Sequence, residues 1–209
     1  FPCFSIGDMV RSQHRLLRDE LDVSHLHAVV GISMGGMQAF EWVVAYPAFM
    51  DKAIPIIGSP RLASYDLLLW HTQLNLIDAV LAGYTDPLEQ RRIAMKLAND
   101  VHQLALTSPG HFNTYVPRTQ LDAKMTSTEE ETIRRMGPYD WASQLRAMIG
   151  HDVSRRFGSN MDLALDTVKA DLLVISAIED HMVTPGPSFS FAQRLNARTV
   201  KLESDCGHM

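Results

Sequence analysis

Apolar runs of strand length alternate with helical patterns at both ends of this chain. The nearly continuous apolar run over residues 25–32 is typical of a buried strand in a parallel sheet. Further strands are predicted over residues 52–57, 171–176 and 199–202. Apolar residues at helical spacing follow the first strand over residues 35–46. This alternation predicts an α/β protein with a mostly parallel sheet.

Two more helices are predicted beside these strands. Ser5 has the character of an N-cap, with Asp8 three residues later, and the apolar spacing continues to Leu21. A second helical pattern covers residues 187–195 and separates the last two strands. Pro55 cannot donate to a sheet ladder, so we expect it near a strand end or at a bulge.

The middle of the chain has a different pattern. Long helical periodicities cover residues 62–81, 87–106, 128–135 and 139–149, and no strand pattern interrupts them. Prolines and glycines at 109–110, 117 and 137–138 separate these helices. We predict a helical lid over residues 61–165, inserted into a sheet domain formed by residues 1–60 and 166–209.

Residues 31–35 carry the clearest chemical signal. They read Gly31-Ile32-Ser33-Met34-Gly35, at the end of a predicted strand and the start of a predicted helix. A serine on such a strand-to-helix turn is the nucleophile elbow of α/β-hydrolase enzymes. Ser33 is therefore the predicted nucleophile, and the backbone N–H of Met34 is one predicted donor to an oxyanion.

A serine nucleophile needs a histidine base and a carboxylate that orients the base. In α/β-hydrolases these residues follow in the order serine, acid, histidine. Asp180 follows the third predicted strand, with Glu179 and Asp205 as alternatives, and His208 follows the fourth. We predict Ser33, Asp180 and His208 as the catalytic residues, since the carboxyl ends of parallel strands share one edge of the sheet.

Composition narrows the class of protein. The chain has 209 residues and a formal net charge of −5, with no basic cluster, which argues against a nucleic-acid partner. No apolar stretch is long enough for a membrane helix. The two cysteines, Cys3 and Cys206, form no metal-ligand pattern, so no metal is predicted. Two reduced thiols favour a cytoplasmic enzyme, although a disulfide is possible if the fold brings them together.

The motifs resemble the homoserine O-acetyltransferase family. The match covers residues 1–10, 30–42 and 180–185 and the closing Asp205-Cys206-Gly207-His208. The resemblance implies an α/β-hydrolase fold with a helical lid, commonly dimeric through that lid. It implies transfer of acetyl from acetyl-CoA, a co-substrate and not a bound cofactor, through Ser33 to the homoserine hydroxyl in methionine biosynthesis. It also implies that this chain is a fragment lacking both ends, and that the second oxyanion donor precedes it.

One family motif differs here. The family's lid carries a Phe-Gly-Arg segment whose arginine holds the amino-acid substrate, whereas this chain has Phe157-Gly158-Ser159. Arg118 or Arg155 are possible replacements. Hydrolysis of a small ester, amide or lactone is the alternative to acyl transfer. A third possible function is that of a non-catalytic interaction module. A cavity with an acceptor-binding arginine would favour the transferase, and a cavity without one would favour the hydrolase.

Overall fold

The structure is a computed structural model that describes residues 3–209. Residues 1 and 2, which open the first stretch of the family resemblance, lie outside the described residues. Four parallel strands form one sheet in the order β1-β2-β3-β4. They are β1 (Leu26–Ile32), β2 (Met50–Ile56), β3 (Asp171–Ala177) and β4 (Arg198–Leu202). The predicted α/β class with a parallel sheet is confirmed.

Helices connect these strands and flank the sheet. They are α1 (Ile6–Arg15), α2 (Met34–Ala45) and α9 (Gly186–Arg194). Ser5 caps α1 as predicted, because its hydroxyl accepts from the Asp8 N–H while the Asp8 carboxylate accepts from the Ser5 N–H. The α-helix ends earlier than the apolar spacing suggested, and one π-helical turn, Leu16–Glu20, follows it.

The segment between β2 and β3 is helical throughout its regular structure. It contains α3 (Ser64–Gly83), α4 (Pro87–Leu106), α5 (Pro109–Tyr115), α6 (Leu121–Arg135), α7 (Pro138–Ile149) and α8 (Met161–Leu165). The predicted helices correspond to α3, α4, α6 and α7. The sequence pattern missed α5 and α8, and it began α6 seven residues late.

The missed helix α5 has a simple physical explanation. Pro109-Gly110 was interpreted as a break between helices, but proline is well tolerated in the first turn of a helix. Ser108 supplies the cap, because its hydroxyl accepts a hydrogen bond from the His111 N–H at 3.1 Å. The dipeptide therefore begins α5, whereas α4 has already ended at Leu106.

The apolar interior forms two clusters that meet at α2. The first packs Phe40 and Val43 of α2 between the sheet and α9, with Phe191 of α9 in edge contact with Phe40. The second packs the helices of the middle segment against each other, around Trp70 and Ile77 of α3. The first cluster also includes Val153 and Leu165 from the end of the middle segment, and the second includes Ile6 of α1.

The two outer strands, β1 and β4, are less well covered than the interior strands; every residue of β4 is exposed, and β1 is partly exposed. The apolar residues Val30 and Ile32 of β1 are 59% and 61% exposed. The interior strand β3 differs, since Leu172 and Val174 are buried. Pro55 lies next to last in β2, in register with Gly31 of β1, which agrees with its predicted place near a strand end.

Candidate active site

Ser33 lies on a strained turn between β1 and α2. Its backbone has φ 55° and ψ −117°, a conformation that residues other than glycine rarely adopt. The Ser33 N–H donates to the Ile56 carbonyl of β2 at 2.9 Å, which fixes the turn to the neighbouring strand. Strain of this kind costs about 1–3 kcal/mol and persists only where the surrounding structure enforces it.

Gly31 makes this turn sterically possible. A Cβ atom at Gly31 would overlap the carbonyl oxygen of Gly35, the second residue of α2. At Gly35 itself a Cβ would meet nothing within 4 Å. The first glycine of the motif is thus required by close packing, whereas the second is not.

The structure brings Ser33, His208 and Asp180 into one chain of hydrogen bonds. The Oγ of Ser33 lies 2.8 Å from Nε2 of His208. The Nδ1 of the same ring lies 2.7 Å from Oδ2 of Asp180. All three residues follow the carboxyl ends of strands, and Asp180 and His208 are buried, at 2% and 8% exposed.

Asp180 is held by its own loop. Its Oδ1 accepts the backbone N–H groups of Met182 and Val183 at 2.8 and 2.9 Å, which leaves Oδ2 for the histidine. The two alternative acids lie elsewhere. Glu179 lies 3.9 Å from Nε2 of His181, and the Oδ1 of Asp205 lies 3.2 Å from Nδ1 of His111.

This hydrogen-bond chain can perform general base chemistry. Nε2 of His208 is placed to accept the Ser33 hydroxyl proton, and the Asp180 carboxylate can stabilise the imidazolium that results. Met34 is the first residue of α2, where backbone N–H groups have no partner within the helix. Its N–H can therefore stabilise the negative charge that develops on a carbonyl oxygen when the Oγ of Ser33 attacks the carbonyl carbon.

A cavity of about 260 Å³ opens onto Ser33. Its walls come from the turn at the start of α2, from α3, α4 and α7, from the C-cap of α6, and from the loop after β3. The lining is mainly apolar, with Trp70, Trp141, Leu145, Met136, Met148 and Met182 beside the neutral polar side chains of Gln73, Gln144 and His102. Among these described lining residues there is no lysine or arginine.

Two of the polar lining residues contact Trp141. The indole Nε1 of Trp141 donates to Oε1 of Gln73 at 3.2 Å, and Gln73 is only 1% exposed. The His102 ring meets the edge of Trp141 with centroids 5.4 Å apart. Burial, and after it the charge of nearby His208, lowers the pKa of His102 from 6.5 to about 4, so its ring is neutral at pH 7.

Sequence reasoning did not identify His102, Gln73 or Trp141 as lining residues. These residues lie on three separate helices with ordinary amphipathic spacing, so no local motif distinguishes them. Neither Arg118 nor Arg155 lines the cavity; Arg155 lines a different one, near the start of α1.

The sequence matches the family model for the alpha/beta hydrolase fold over residues 2–209. The chain belongs to this family. The strand-to-helix turn at Ser33 and the acid and histidine after β3 and β4 are where an α/β-hydrolase carries its nucleophile, acid and base.

Similar proteins include both acyltransferases and esterases. A protein of Methanothermobacter thermautotrophicus named "Probable acyltransferase" is 27% identical over 211 residues, covering 100% of this chain and 62% of its own length. A "Homoserine O-acetyltransferase" of Methanosalsum zhilinae is 28% identical over 236 residues, covering 100% and 46%. The predicted resemblance is thus supported.

A solved structure described as the acetyl esterase MekB superposes with a TM-score of 0.88 at 26% identity. The superposition covers 100% of this chain and 63% of the esterase chain. The α/β-hydrolase chain therefore spans about half to two thirds of the length of the proteins it matches. No helix in residues 3–209 is long and apolar enough to cross a membrane.

Proposed function

We propose that this α/β-hydrolase cleaves small, uncharged acyl esters through an acyl-Ser33 intermediate. The observation that carries the proposal is the cavity at Ser33, whose described walls offer aromatic, thioether and neutral amide groups but no cation. A cavity of about 260 Å³ is at or below the lower end of ordinary ligand sites, which favours a short acyl group such as acetyl.

The reaction begins when Ser33 Oγ attacks the ester carbonyl carbon. His208 takes the hydroxyl proton at Nε2, and the Met34 N–H supports the negative charge on the carbonyl oxygen. The tetrahedral adduct then expels the alcohol, which receives the proton from His208. Water attacks the acyl-serine with His208 as base, which releases the carboxylic acid and regenerates the Ser33 hydroxyl.

The neutral walls favour an uncharged substrate for an electrostatic reason. Homoserine carries a carboxylate and an ammonium group, and burying either without a partner costs several kcal/mol. No arginine lines the described walls of the cavity to pair the carboxylate. His102 cannot pair it either, since its pKa of about 4 leaves the ring uncharged at pH 7.

Acetyl transfer from acetyl-CoA to homoserine is the second candidate. It is supported by the named homoserine O-acetyltransferase, which matches the whole of this chain. The first half-reaction is shared, because Ser33 attacks the thioester as it would an ester. The two functions differ in what discharges the acyl-enzyme, water or an amino-acid hydroxyl.

Intact-protein mass spectrometry separates the two functions. The full-length protein containing this chain is mixed with p-nitrophenyl acetate or acetyl-CoA, with and without homoserine, and the acetyl adduct is followed in time. We expect an adduct from the ester that water discharges at the same rate whether or not homoserine is present. An adduct formed from acetyl-CoA and discharged faster by homoserine would establish the transferase instead.

The variant Ser33→Ala tests the acyl-enzyme itself. We expect no adduct and a loss of kcat of roughly 10⁴–10⁶-fold, because the nucleophile is gone while the fold is unchanged. Ser12→Ala, on the exposed face of α1, is the matched control and should keep full activity. Turnover in Ser33→Ala close to that of the control would rule out the proposed nucleophile.

A further inference from the structure

A second cluster of chemically active side chains lies beside the loop that carries His208. It consists of His111 at the start of α5 and the neighbouring residues Asp205 and Cys206 after β4. One ligand atom from each, the imidazole nitrogen, a carboxylate oxygen and the thiol sulfur, lie within 4.8 Å of one another. We propose that these three residues bind a thiophilic divalent cation of the Zn²⁺ type.

The chemistry of the ligands selects the kind of ion. Thiolate, imidazole and carboxylate groups are each ligands that Zn²⁺ accepts in proteins, whereas Mg²⁺ and Ca²⁺ require mainly oxygen ligands. When the ion binds, the Cys206 thiol loses its proton to the solvent and the sulfur bonds to the metal. Three protein ligands leave a fourth tetrahedral position for water.

The distances also suit a tetrahedral ion. His111 Nδ1 and Asp205 Oδ1 are 3.2 Å apart. Two ligands at roughly 2.0–2.1 Å from a tetrahedral Zn²⁺ are separated by about 3.3–3.4 Å, so this pair needs almost no movement. The Asp205 side chain is 62% exposed and His111 24%, which gives an ion access from solvent.

The backbone on both sides of the cluster is fixed. Gly207 has φ +75°, and a Cβ there would come within 2.9 Å of the Ser108 nitrogen. The His208 N–H donates to the Leu106 carbonyl at 3.0 Å, and Ser108 caps α5. The loop after β4 therefore lies firmly against the junction of α4 and α5, which holds the ligands near each other before any ion binds.

The cluster lies where a bound ion would connect the helical segment to the catalytic loop. Cys206 is two residues before His208, and His111 is on a helix of the middle segment. A bound ion would link α5 to the loop that places the imidazole next to Ser33. The His208 ring itself stays outside the site, since both of its nitrogens contact Ser33 and Asp180.

The sequence did not indicate this site. Cys3 and Cys206 have no metal-ligand spacing, and His111 is 94 residues from Asp205 along the chain. Only the packing of α5 against the loop after β4 brings the three ligands together. The prediction that no metal binds rested on spacing alone, and the proposal replaces it.

Cobalt absorption spectroscopy provides a test that does not depend on enzyme activity. Co²⁺ is titrated into the reduced full-length protein, and a thiolate-to-cobalt charge-transfer band in the near ultraviolet is followed. We expect the band to saturate at one Co²⁺ per chain and to bleach when Zn²⁺ is added. Failure to develop this band with excess Co²⁺ would overturn the proposal.

The variants assign the ligands. Cys206→Ser should abolish the band, and His111→Ala should weaken Co²⁺ affinity by at least about 10-fold. Cys3→Ser is the matched control, because Cys3 is a free, exposed thiol that is far from Cys206 in the sequence. This variant should keep the band. A band kept by Cys206→Ser, or affinity unchanged in His111→Ala, would show that these residues do not form the site.

Thermal unfolding gives a second readout. Zn²⁺ should raise the Tm of the wild-type protein and of Cys3→Ser in a concentration-dependent way, and should not raise that of Cys206→Ser. Exposed His25 and His27, which both approach Asp51, can bind Co²⁺ without any thiolate band. A Tm increase as large in Cys206→Ser as in the wild type would place the stabilising ion elsewhere and contradict the proposal.

Discussion

The two sides of the Ser33 cavity are built in different ways. On the sheet side, hydrogen bonds of 2.7–2.9 Å fix Ser33, His208 and Asp180, and the loops that carry them follow parallel strands. On the helical side, α3, α4 and α7 present mainly apolar and aromatic surface. Reactive groups require precise placement, whereas apolar walls tolerate substitution. The reactive groups of this chain are thus fixed by the sheet edge, independently of the residues that form the walls.

The largest effect in this comparison is expected at the acid. Asp180→Asn should lower kcat by roughly 10⁴-fold, because the amide cannot stabilise the imidazolium and favours the wrong tautomer of His208. Stopped-flow acylation by p-nitrophenyl acetate measures the change. Glu179→Gln, the adjacent exposed carboxyl, should stay within about 2-fold of wild type, and an equal loss in both variants would contradict the assignment of the acid.

The strained turn should respond strongly to a single methyl group. Gly31→Ala forces a Cβ into the Gly35 carbonyl and should lower the free energy of unfolding by about 3 kcal/mol or more. Gly35→Ala adds the same methyl group where nothing lies within 4 Å, and it should be nearly neutral. Urea denaturation compares the two, and similar midpoints would mean that the turn is not tightly packed.

In the helical segment, burial of a histidine should make the free energy of unfolding depend on pH. His151, just after α7, is 6% exposed, and burial lowers its pKa from 6.5 to about 4. Because the histidine of the unfolded chain binds a proton more readily, burial of neutral His151 contributes fully to the free energy of unfolding above about pH 6.5. This contribution is lost as the pH falls towards 4. The full loss is on the order of 3 kcal/mol.

Urea denaturation at several pH values checks this effect. In His151→Gln the free energy of unfolding should fall less between pH 7 and 4 than in wild type. His71→Gln, a change at an exposed histidine of α3, should keep the wild-type dependence. If both variants follow the wild-type curve, burial of His151 does not affect stability.

The smallest effect is expected at the cavity wall. Gln73→Met removes the acceptor for the partly buried Nε1 of Trp141, which should cost about 1 kcal/mol of stability. KM for a short ester should rise several-fold while acylation at saturation changes little. Gln193→Met, at an exposed position of α9, is the control. A loss of kcat as large as that in Asp180→Asn would mean that the two sides are not separable.

The sequence predicted the sheet side of the molecule in detail. All four strands were located to within two residues at each end. Short runs rich in apolar residues, bounded by turn residues, are the signal that located them. The order of Ser33, Asp180 and His208 after successive strands was sufficient to predict that they converge, because parallel strands end at one edge. Local pattern and topology together carry this information.

Only the tertiary structure decided which residues surround Ser33 and which gather elsewhere. Gln73, His102 and Trp141 lie on separate helices, and their approach depends on how those helices pack. His111 reaches Asp205 and Cys206 through the same kind of long-range packing. A motif at a strand end fixes a side chain by local backbone geometry. An apolar helix face can instead pack against many different partners with a similar gain in free energy from apolar burial. The sequence alone thus determined the hydrogen-bonded residues, and packing determined the walls.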